Sequence, residues 1–233
     1  MSRRLTLFSI VLGAATAIVV AAILLSSGGG SAPRAPRTAS TRDVTRILRG
    51  IPQDGLTLGD PGAPVLLVEF ADLQCPFCRE FAATSWPDIV KRYIRTGKVR
   101  MELRLLNILG PDSVKANKAV MAAALQDRMW DASMRFYDVQ GQEGSGYVTD
   151  RFLRAVLGGV RGLDASRAMR ERTSPQVSEA LASVHSLQSR YAVHSTPTLM
   201  IGSDVNDLTQ LADGVVSAEK LAQAINAELL KTV

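Results

Sequence analysis

Two cysteines, Cys75 and Cys78, are the residues of this 233-residue chain whose type and spacing most directly indicate chemistry. They are the only cysteines in the sequence, and Pro76 and Phe77 stand between them. A disulfide between residues this close would close a very small loop and constrain the unfolded chain little, so a purely structural bridge is a weak explanation. Two thiols at this spacing can instead alternate between dithiol and disulfide, which predicts redox chemistry.

The position of the pair in the predicted secondary structure gives the two cysteines different roles. Proline is favoured at the first position of a helix, as Pro76 would be, because the N–H that it lacks would be unpaired there. Cys75 would then lie at the helix N-terminus, where unpaired N–H groups and the helix dipole favour a thiolate. We predict that Cys75 is the nucleophile and Cys78, one turn into the helix, the resolving thiol. Arg79 either adds positive charge near the thiolate or is a solvated surface arginine.

Glu69 is the second residue that indicates chemistry, because it interrupts the apolar run 64–71 six positions before Cys75. A buried carboxylate is costly unless it is paired, solvated or protonated, and burial raises its pKa. One interpretation is that Glu69 exchanges protons with Cys78 during thiol exchange. The alternative is a glutamate on an edge strand or at a strand end, in contact with water.

Other combinations of reactive residues fit known sites less well. A zinc site made of Cys75, Cys78, His185 and His194 lacks a second cysteine pair, and eight residues separate its histidines instead of the usual three to five. These are the only two histidines, and no nucleophile elbow accompanies them, which disfavours a Ser-His-Asp hydrolase. We therefore predict no metal site and no cofactor.

The elements that must position these residues alternate between strands and helices, which predicts an α/β domain at 51–233. In chain order, the sequence predicts a buried strand at 64–71, a helix at 76–96 kinked at Pro87, a strand at 99–106, three helical patterns between 112 and 192, a hairpin of 198–201 with 214–216, and a helix at 217–230. Glycines separate the helical patterns.

The first 50 residues are predicted to lie outside this domain. Residues 5–25 carry no charge and follow Arg3 and Arg4, and about 20 apolar residues suffice to cross a bilayer. Positive charge before the span favours an extracytoplasmic C-terminal domain. We predict a transmembrane anchor at 1–25, with a cleaved signal peptide as the alternative. Residues 26–50, rich in Gly, Ser, Pro, Arg and Thr, are predicted to form a flexible basic tether.

The net charge of +5 does not indicate nucleic-acid binding. Seven of the 27 Lys and Arg residues precede Ile51, together with one of the 22 acidic residues, so the predicted domain is close to neutral. A basic groove with interleaved aromatic residues is not visible. The excess charge belongs to the anchor flank and the tether, where it can orient the chain or contact anionic lipid.

The run PVLLVEFADLQCPFCR at 64–79, together with STPT at 195–198, resembles the DsbA-like branch of the thioredoxin superfamily. The resemblance covers about residues 52–233 and implies a thioredoxin fold with a helical insertion at about 110–192. It also implies that Thr196 and Pro197 form a cis-proline loop that contacts the substrate peptide. The buried acid of the family, six positions before the first cysteine, corresponds to Glu69.

The same resemblance implies a membrane-anchored thiol–disulfide oxidoreductase that acts on cysteines of exported proteins and is recycled by a membrane redox partner. Pro76 and Phe77 are expected to tune the redox potential. Strongly oxidising members often carry histidine where this chain has Phe77, and an apolar side chain cannot supply that positive charge. The direction of electron flow therefore stays open: a reductase or isomerase, or a chaperone or binding module of the same fold without redox turnover, are the alternatives.

Overall fold

The computed structural model describes residues 46–231, which belong to one compact unit. The strands are β1 Gln53–Asp54, β2 Thr57–Leu58, β3 Val65–Ala71, β4 Val99–Leu105, β5 Thr198–Gly202 and β6 Leu208–Asp213. They form one sheet in the order β1–β2–β4–β3–β5–β6. The helices are α1 Pro76–Thr84, α2 Trp86–Ile89, which continues as a π-helical segment Val90–Ile94, α3 Pro111–Ala124, α4 Met129–Asp138, α5 Asp150–Gly158, α6 Ala165–Glu171, α7 Pro175–Arg190 and α8 Ala218–Leu229. This is the mixed α/β architecture that the sequence predicts.

Strand β3 lies at the centre of the sheet, parallel to β4 and antiparallel to β5. All seven of its residues are buried, because neighbouring strands flank it and helices pack against the sheet. A strand buried on both faces needs a continuous apolar run and not an alternating one, which is the pattern at 64–71. The predicted central strand is confirmed.

The directions of these three strands bring separate loops to one edge of the sheet. Because β3 and β4 are parallel, their last residues lie side by side, as the pairing of Ala71 with Leu105 shows. Because β5 is antiparallel to β3, its first residue, Thr198, pairs with Phe70 near the same edge. The loop after β3, the segment after β4 and the loop before β5 therefore meet there.

The helical insertion predicted at 110–192 is confirmed as α3 to α7, which lie between β4 and β5 in the chain. It contains five helices, where the sequence patterns predicted three. One pattern, from Val120 to Met129, covers parts of two helices, because Asp127 adopts a left-handed conformation with φ 54° and ends the first of them. Trp130 of α4 stacks on Trp86 of α2 with ring centroids 6.0 Å apart, so the insertion packs directly against the segment after α1.

The single helix predicted at 76–96 is interrupted at Ser85. Pro87 lies in the first turn of the next helix, since proline has no N–H to pair with a carbonyl of the preceding turn. The Ser85 hydroxyl donates to the carbonyl oxygen of Val216 at 2.6 Å and so ties the interruption to the segment before α8.

The predicted hairpin forms, but its second strand is β6 and not residues 214–216, so that part of the prediction is wrong. Thr209 and Gln210 of β6 are exposed, and the strand therefore lacks the apolar pattern on which the prediction relied. Gly214 follows the strand and donates its N–H to the Pro197 carbonyl at 2.8 Å. The terminal helix is confirmed, and its N-cap Ser217 accepts from the N–H of Lys220.

The packed domain begins earlier than the predicted boundary at residue 51. Residues 46–48 are helical, and Leu48 is buried among apolar neighbours, which a solvated tether would not provide. Arg95 holds this segment by donating to the carbonyls of Ile47 at 2.6 Å and Arg49 at 3.0 Å.

The predicted anchor at 1–25 and the rest of the predicted tether, 26–45, lie outside the described residues. Within the part of the chain that the structure describes, no helix combines the length and the apolar character needed to cross a bilayer.

Candidate active site

Cys75 and Cys78 lie where β3 passes through residues 72–75 into α1. Cys75 is the residue before the helix and Pro76 is its first residue, as the sequence predicts. Both cysteines are free thiols. Cys75 retains a small exposed fraction of 4%, whereas Cys78 is completely buried. Of the two cysteines, Cys75 is therefore the more accessible.

The surroundings of the two thiols move their pKa values in opposite directions. A hydrogen bond from the Cys78 side chain is the main cause that lowers the pKa of Cys75 to about 6, and hydrogen bonds from the Thr196 side chain and from the backbone of Cys78 and Phe77 act in the same direction. Burial raises the pKa of Cys78 well above its ordinary value. Near neutral pH, Cys75 is thus mainly a thiolate and Cys78 a thiol. Only a thiolate attacks a disulfide.

The loop before β5 lies against the Cys75 sulfur. In its protonated form, the Cys75 thiol donates a hydrogen bond to the carbonyl oxygen of Thr196 at 3.3 Å. The peptide bond between Thr196 and Pro197 is cis. Thr196 is half-buried and Pro197 is buried. The two residues predicted to contact substrate therefore lie beside the Cys75 sulfur.

Glu69 is buried in the central strand, 1% exposed, and pairs with Leu103 of β4 and Leu199 of β5. The alternative of a water-exposed glutamate on an edge strand or at a strand end is wrong, because strands pair with Glu69 on both sides. Burial first, and then the negative charge of Cys75, raises the pKa of Glu69 to about 8. Its Oε1 atom has no hydrogen-bond partner among residues 46–231. This carboxyl can release or accept a proton close to neutral pH.

Pro76 and Phe77, the two residues between the cysteines, point to the surface. Phe77 is 58% exposed and Pro76 is also exposed. Phe77 brings no charge to the site, so the low pKa of Cys75 is maintained by the hydrogen bonds described above. The role of Pro76 and Phe77 in tuning the redox potential stays a prediction.

Asp72 is a site residue that the sequence analysis missed. It is fully buried directly after β3. Its two carboxyl oxygens accept four hydrogen bonds, Oδ1 from Gln74 N at 2.9 Å and Ser113 Oγ at 2.7 Å, and Oδ2 from the N–H groups of Ile108 and Leu109, both at 3.1 Å. Burial raises the pKa of Asp72, and these hydrogen bonds act in the opposite direction. The signal in the sequence was a charged residue between a buried strand and a cysteine.

The described residues do not assemble the metal site considered from the sequence. Among residues 46–231, no three His, Cys, Asp or Glu side chains are grouped so that they could hold a metal ion. His185 is exposed on α7, with its Nε2 atom 3.4 Å from the side-chain amide of Asn107. His194 is exposed in the loop before β5.

Known proteins resemble this chain over most of its length. The Thioredoxin_4 family model, described as thioredoxin, matches residues 52–227. A probable disulfide bond formation protein D of Bacillus anthracis is 25% identical over 179 residues, which are 75% of this chain and 78% of the relative.

Solved structures agree with the fold. The crystal structure of oxidised BdbD from Bacillus subtilis matches with a TM-score of 0.67 at 20% identity, over 77% of this chain and 97% of that one. The structure of Chlamydia trachomatis DsbA matches with a TM-score of 0.62 at 20% identity, over 76% of this chain and 91% of that one. At these identities the likeness shows a common DsbA-like thioredoxin fold.

Proposed function

Because this chain belongs to the thioredoxin family whose model matches residues 52–227, we propose that it is a protein thiol–disulfide oxidoreductase that works through Cys75 and Cys78. One observation carries the proposal: a reachable thiol with a pKa of about 6 lies beside a buried thiol with a raised pKa. This combination provides one nucleophile and one protected partner. Incidental cysteines in a binding module would not need such a difference.

In the oxidising direction, a client thiolate attacks the Cys75 sulfur of the Cys75–Cys78 disulfide. A client–Cys75 disulfide forms, the bond between the two cysteines breaks, and Cys78 leaves as a thiolate that takes up a proton. A second client thiolate then attacks the client sulfur of this mixed disulfide, and Cys75 leaves as a thiolate. Two electrons pass from the client to the pair. A low pKa makes Cys75 a good leaving group in the last step.

Glu69 is the residue that we assign to the proton of Cys78. Buried Cys78 cannot remain a thiolate at low energetic cost, because burial penalises the charged form. The Glu69 carboxyl, with a pKa of about 8, carries a proton near pH 7 and is able to supply it. When Cys78 later attacks a mixed disulfide or is oxidised, the carboxylate takes the proton back.

We assign Thr196 and Pro197 to the binding of the client peptide, since Thr196 O is 3.3 Å from the Cys75 sulfur. The clients are proposed to be exported proteins with cysteines. The apolar run 5–25 after Arg3 and Arg4 supports an anchored, extracytoplasmic domain. The name of the Bacillus anthracis relative, a probable disulfide bond formation protein D, is consistent with action on protein cysteines. A membrane redox partner would return the pair to its starting state.

Oxidation of clients is the direction that the site favours. Stabilising the Cys75 thiolate stabilises the reduced form of the pair, and a pair with a stable reduced form is a stronger oxidant. We expect a reduction potential above that of thioredoxin, which is about −270 mV. A value at or below that level in redox buffers would favour the alternative of a reductase.

The roles of the two cysteines are tested by their reactivity in the full chain. Substoichiometric alkylation of the reduced protein at pH 7, followed by peptide mass spectrometry, should modify Cys75 far faster than Cys78. Cys78→Ser should accumulate mixed disulfides with a reduced client protein, because the resolving thiol is absent, and Cys75→Ser should form none. Faster alkylation of Cys78, or a wild-type protein that neither oxidises nor reduces a dithiol peptide, would contradict the proposal.

A further inference from the structure

The helical insertion is hydrogen-bonded to the loop that carries the nucleophile. Residues 139–149, here called the insertion loop, connect α4 to α5, and residues 72–75 are called the redox loop. Gln140 Nε2 donates to two carbonyl oxygens of the redox loop, Leu73 O at 2.7 Å and Cys75 O at 3.1 Å. The N–H of Gly144 donates to Gln74 Oε1 at 3.1 Å.

The last turn of α4 adds a fourth contact. The Tyr137 hydroxyl donates to Asp72 O at 3.4 Å, and the same carbonyl accepts from the N–H of Cys75 at 3.0 Å. Each of the four consecutive residues of the redox loop therefore accepts a hydrogen bond from α4 or the insertion loop. Gln140 alone accounts for two of these contacts.

The start of α1 needs such support because its N-cap side chain is the nucleophile. Four other helices, α5 to α8, begin with a Thr, Asp or Ser whose side chain accepts a backbone N–H and fixes the first turn. At α1 the N-cap is Cys75, whose thiol makes no side-chain cap hydrogen bond, although its thiolate is stabilised by backbone hydrogen bonds from Phe77 and Cys78. The first turn contains no acidic residue. In a disulfide the Cys75 sulfur carries no charge, so the helix start must then be held by other groups.

From this geometry we propose that Gln140 is a positioning residue, whose amide holds the Cys75 backbone at the start of α1 and thereby keeps the sulfur against the donors that stabilise its thiolate. The inference rests on the proposed function, since it takes Cys75 as the nucleophile. One amide that bridges two carbonyls sets the distance between them and so the shape of the turn. Its N–H groups also offset the partial negative charges of the Leu73 and Cys75 carbonyl oxygens, which would otherwise disfavour the nearby thiolate.

A substitution of matched shape separates this role from support of the fold. Gln140→Met keeps the length of the side chain but removes both donors, and Gln142→Met makes the same change at an exposed position of the insertion loop. In Gln140→Met the pKa of Cys75, measured from the pH dependence of alkylation, should rise by about 0.5–1 unit. Attack of the reduced protein on a disulfide peptide at pH 6 should slow by about 2–5-fold, because the fraction of Cys75 present as thiolate falls. Gln142→Met should match the wild-type protein in both measurements.

The charged and titratable groups around Cys75 are the same in the wild-type, Gln140→Met and Gln142→Met proteins. They are Cys78 and Arg79 on α1, Glu69 on β3, Asp72 in the redox loop and Tyr137 on α4. A shift in the pKa of Cys75 would therefore result from the loss of the Gln140 amide. If Gln140→Met did not fold, Gln140→Asn would replace it. Its shorter amide adds no charge and cannot bridge both carbonyls, so the pKa of Cys75 should still rise.

A Gln140→Met protein with a lower melting temperature but an unchanged Cys75 pKa and exchange rate would show that Gln140 supports only the fold, and would overturn the proposal. A Gln140→Met protein with an unchanged melting temperature, Cys75 pKa and exchange rate would also overturn it. Failure of the proposed function has a different signature, a wild-type chain that shows no thiol–disulfide exchange. If the wild-type protein is active and Gln140→Met has the same Cys75 pKa and exchange rate, only the positioning role of Gln140 is refuted.

Discussion

Glu69 and Cys75 influence one another's ionisation within the site. The charge of Cys75 adds to burial in raising the pKa of Glu69, and the order of pKa values becomes Cys75 at about 6, then Glu69 at about 8, then Cys78 well above its ordinary value. Between pH 6 and 8 the site therefore holds one negative charge on Cys75 and a proton on Glu69. This is the protonation state that the exchange reaction needs, because Cys75 is then a nucleophile and the buried Glu69 a proton donor.

Replacing Glu69 by glutamine keeps the shape of the side chain and removes its titration. We expect Glu69→Gln to slow release of Cys78 from the disulfide by about 10-fold or more, since positioned proton transfer typically contributes 10²–10⁴-fold. The change in rate centred near pH 8, where Glu69 loses its proton, should disappear. Stopped-flow tryptophan fluorescence between pH 5 and 9 measures both. Identical kinetics of the two proteins over that range would refute a role for Glu69 in proton transfer.

Stability provides the control for this variant. The pKa of Glu69 is about 8 in the folded protein and near its ordinary value of 4.5 in the unfolded chain. As the pH rises through this window, the unfolded chain releases its proton first, so Glu69 progressively lowers the free energy of unfolding. Glu69→Gln lacks this effect. Its free energy of unfolding relative to the wild-type protein should therefore increase from pH 4.5 to pH 8.

At the scale of elements, the Asp72 carboxyl joins three parts of the fold. It accepts from Gln74 in the redox loop, from the N–H groups of Ile108 and Leu109 in the segment after β4, and from Ser113 in the first turn of α3. Both oxygens are used, and the side chain is fully buried. Contacts with the segment between β4 and α3 thus help to fix the shape of the turn from β3 into α1.

Asp72→Ala should be strongly destabilising, because four donors lose their acceptor, and two of them, Gln74 N and Ser113 Oγ, are buried. We expect a loss of at least about 3 kcal/mol in the free energy of unfolding. In a domain of this size that corresponds to a melting temperature lower by about 6–12 °C, measurable by calorimetry. Asp72→Asn keeps the shape and one carbonyl oxygen and should lose less.

The matched control is Asp54→Ala, at an exposed aspartate of β1, which should stay within about 0.5 kcal/mol of the wild-type protein. Equal melting temperatures for Asp72→Ala and Asp54→Ala would show that water can replace the Asp72 carboxylate without loss of stability, and would contradict this prediction.

At the scale of the whole molecule, we propose that the chain is anchored in a membrane through its N-terminal segment. The described domain contains the redox pair, and the predicted anchor and tether precede it.

The proposed topology rests on Arg3 and Arg4, which precede the apolar run. A reporter fused after Val233 should be active if it is one that functions only outside the cytoplasm. Activity of a strictly cytoplasmic reporter at the same position would contradict the proposed location. Recovery of a shortened, soluble form of the fusion would instead support the cleaved signal peptide. Replacing Arg3 and Arg4 by acidic residues provides the comparison and should lower the exported fraction.

Much of the molecule is encoded in short stretches of sequence. The apolar run of β3, the proline at the start of α1 and the serines that cap α7 and α8 act on neighbouring residues, so patterns in the sequence predicted these elements. Pro87 likewise disrupts the helix predicted at 76–96 beside Ser85, close to the predicted kink. Where a distant contact decided the outcome, the prediction was wrong: the polar strand β6 is held by its pairing with β5.

The same distinction applies to the site. The sequence by itself determined the reactive pair, its order along the chain and its place at a helix start, because these depend on four adjacent residues. Only the tertiary structure decided that Glu69 is buried between two strands, that Asp72 accepts four hydrogen bonds, and that Gln140, 65 residues from Cys75, bonds to its carbonyl. The physical reason is that burial and hydrogen bonding depend on which strands and loops become neighbours. No local pattern in a single sequence records that arrangement.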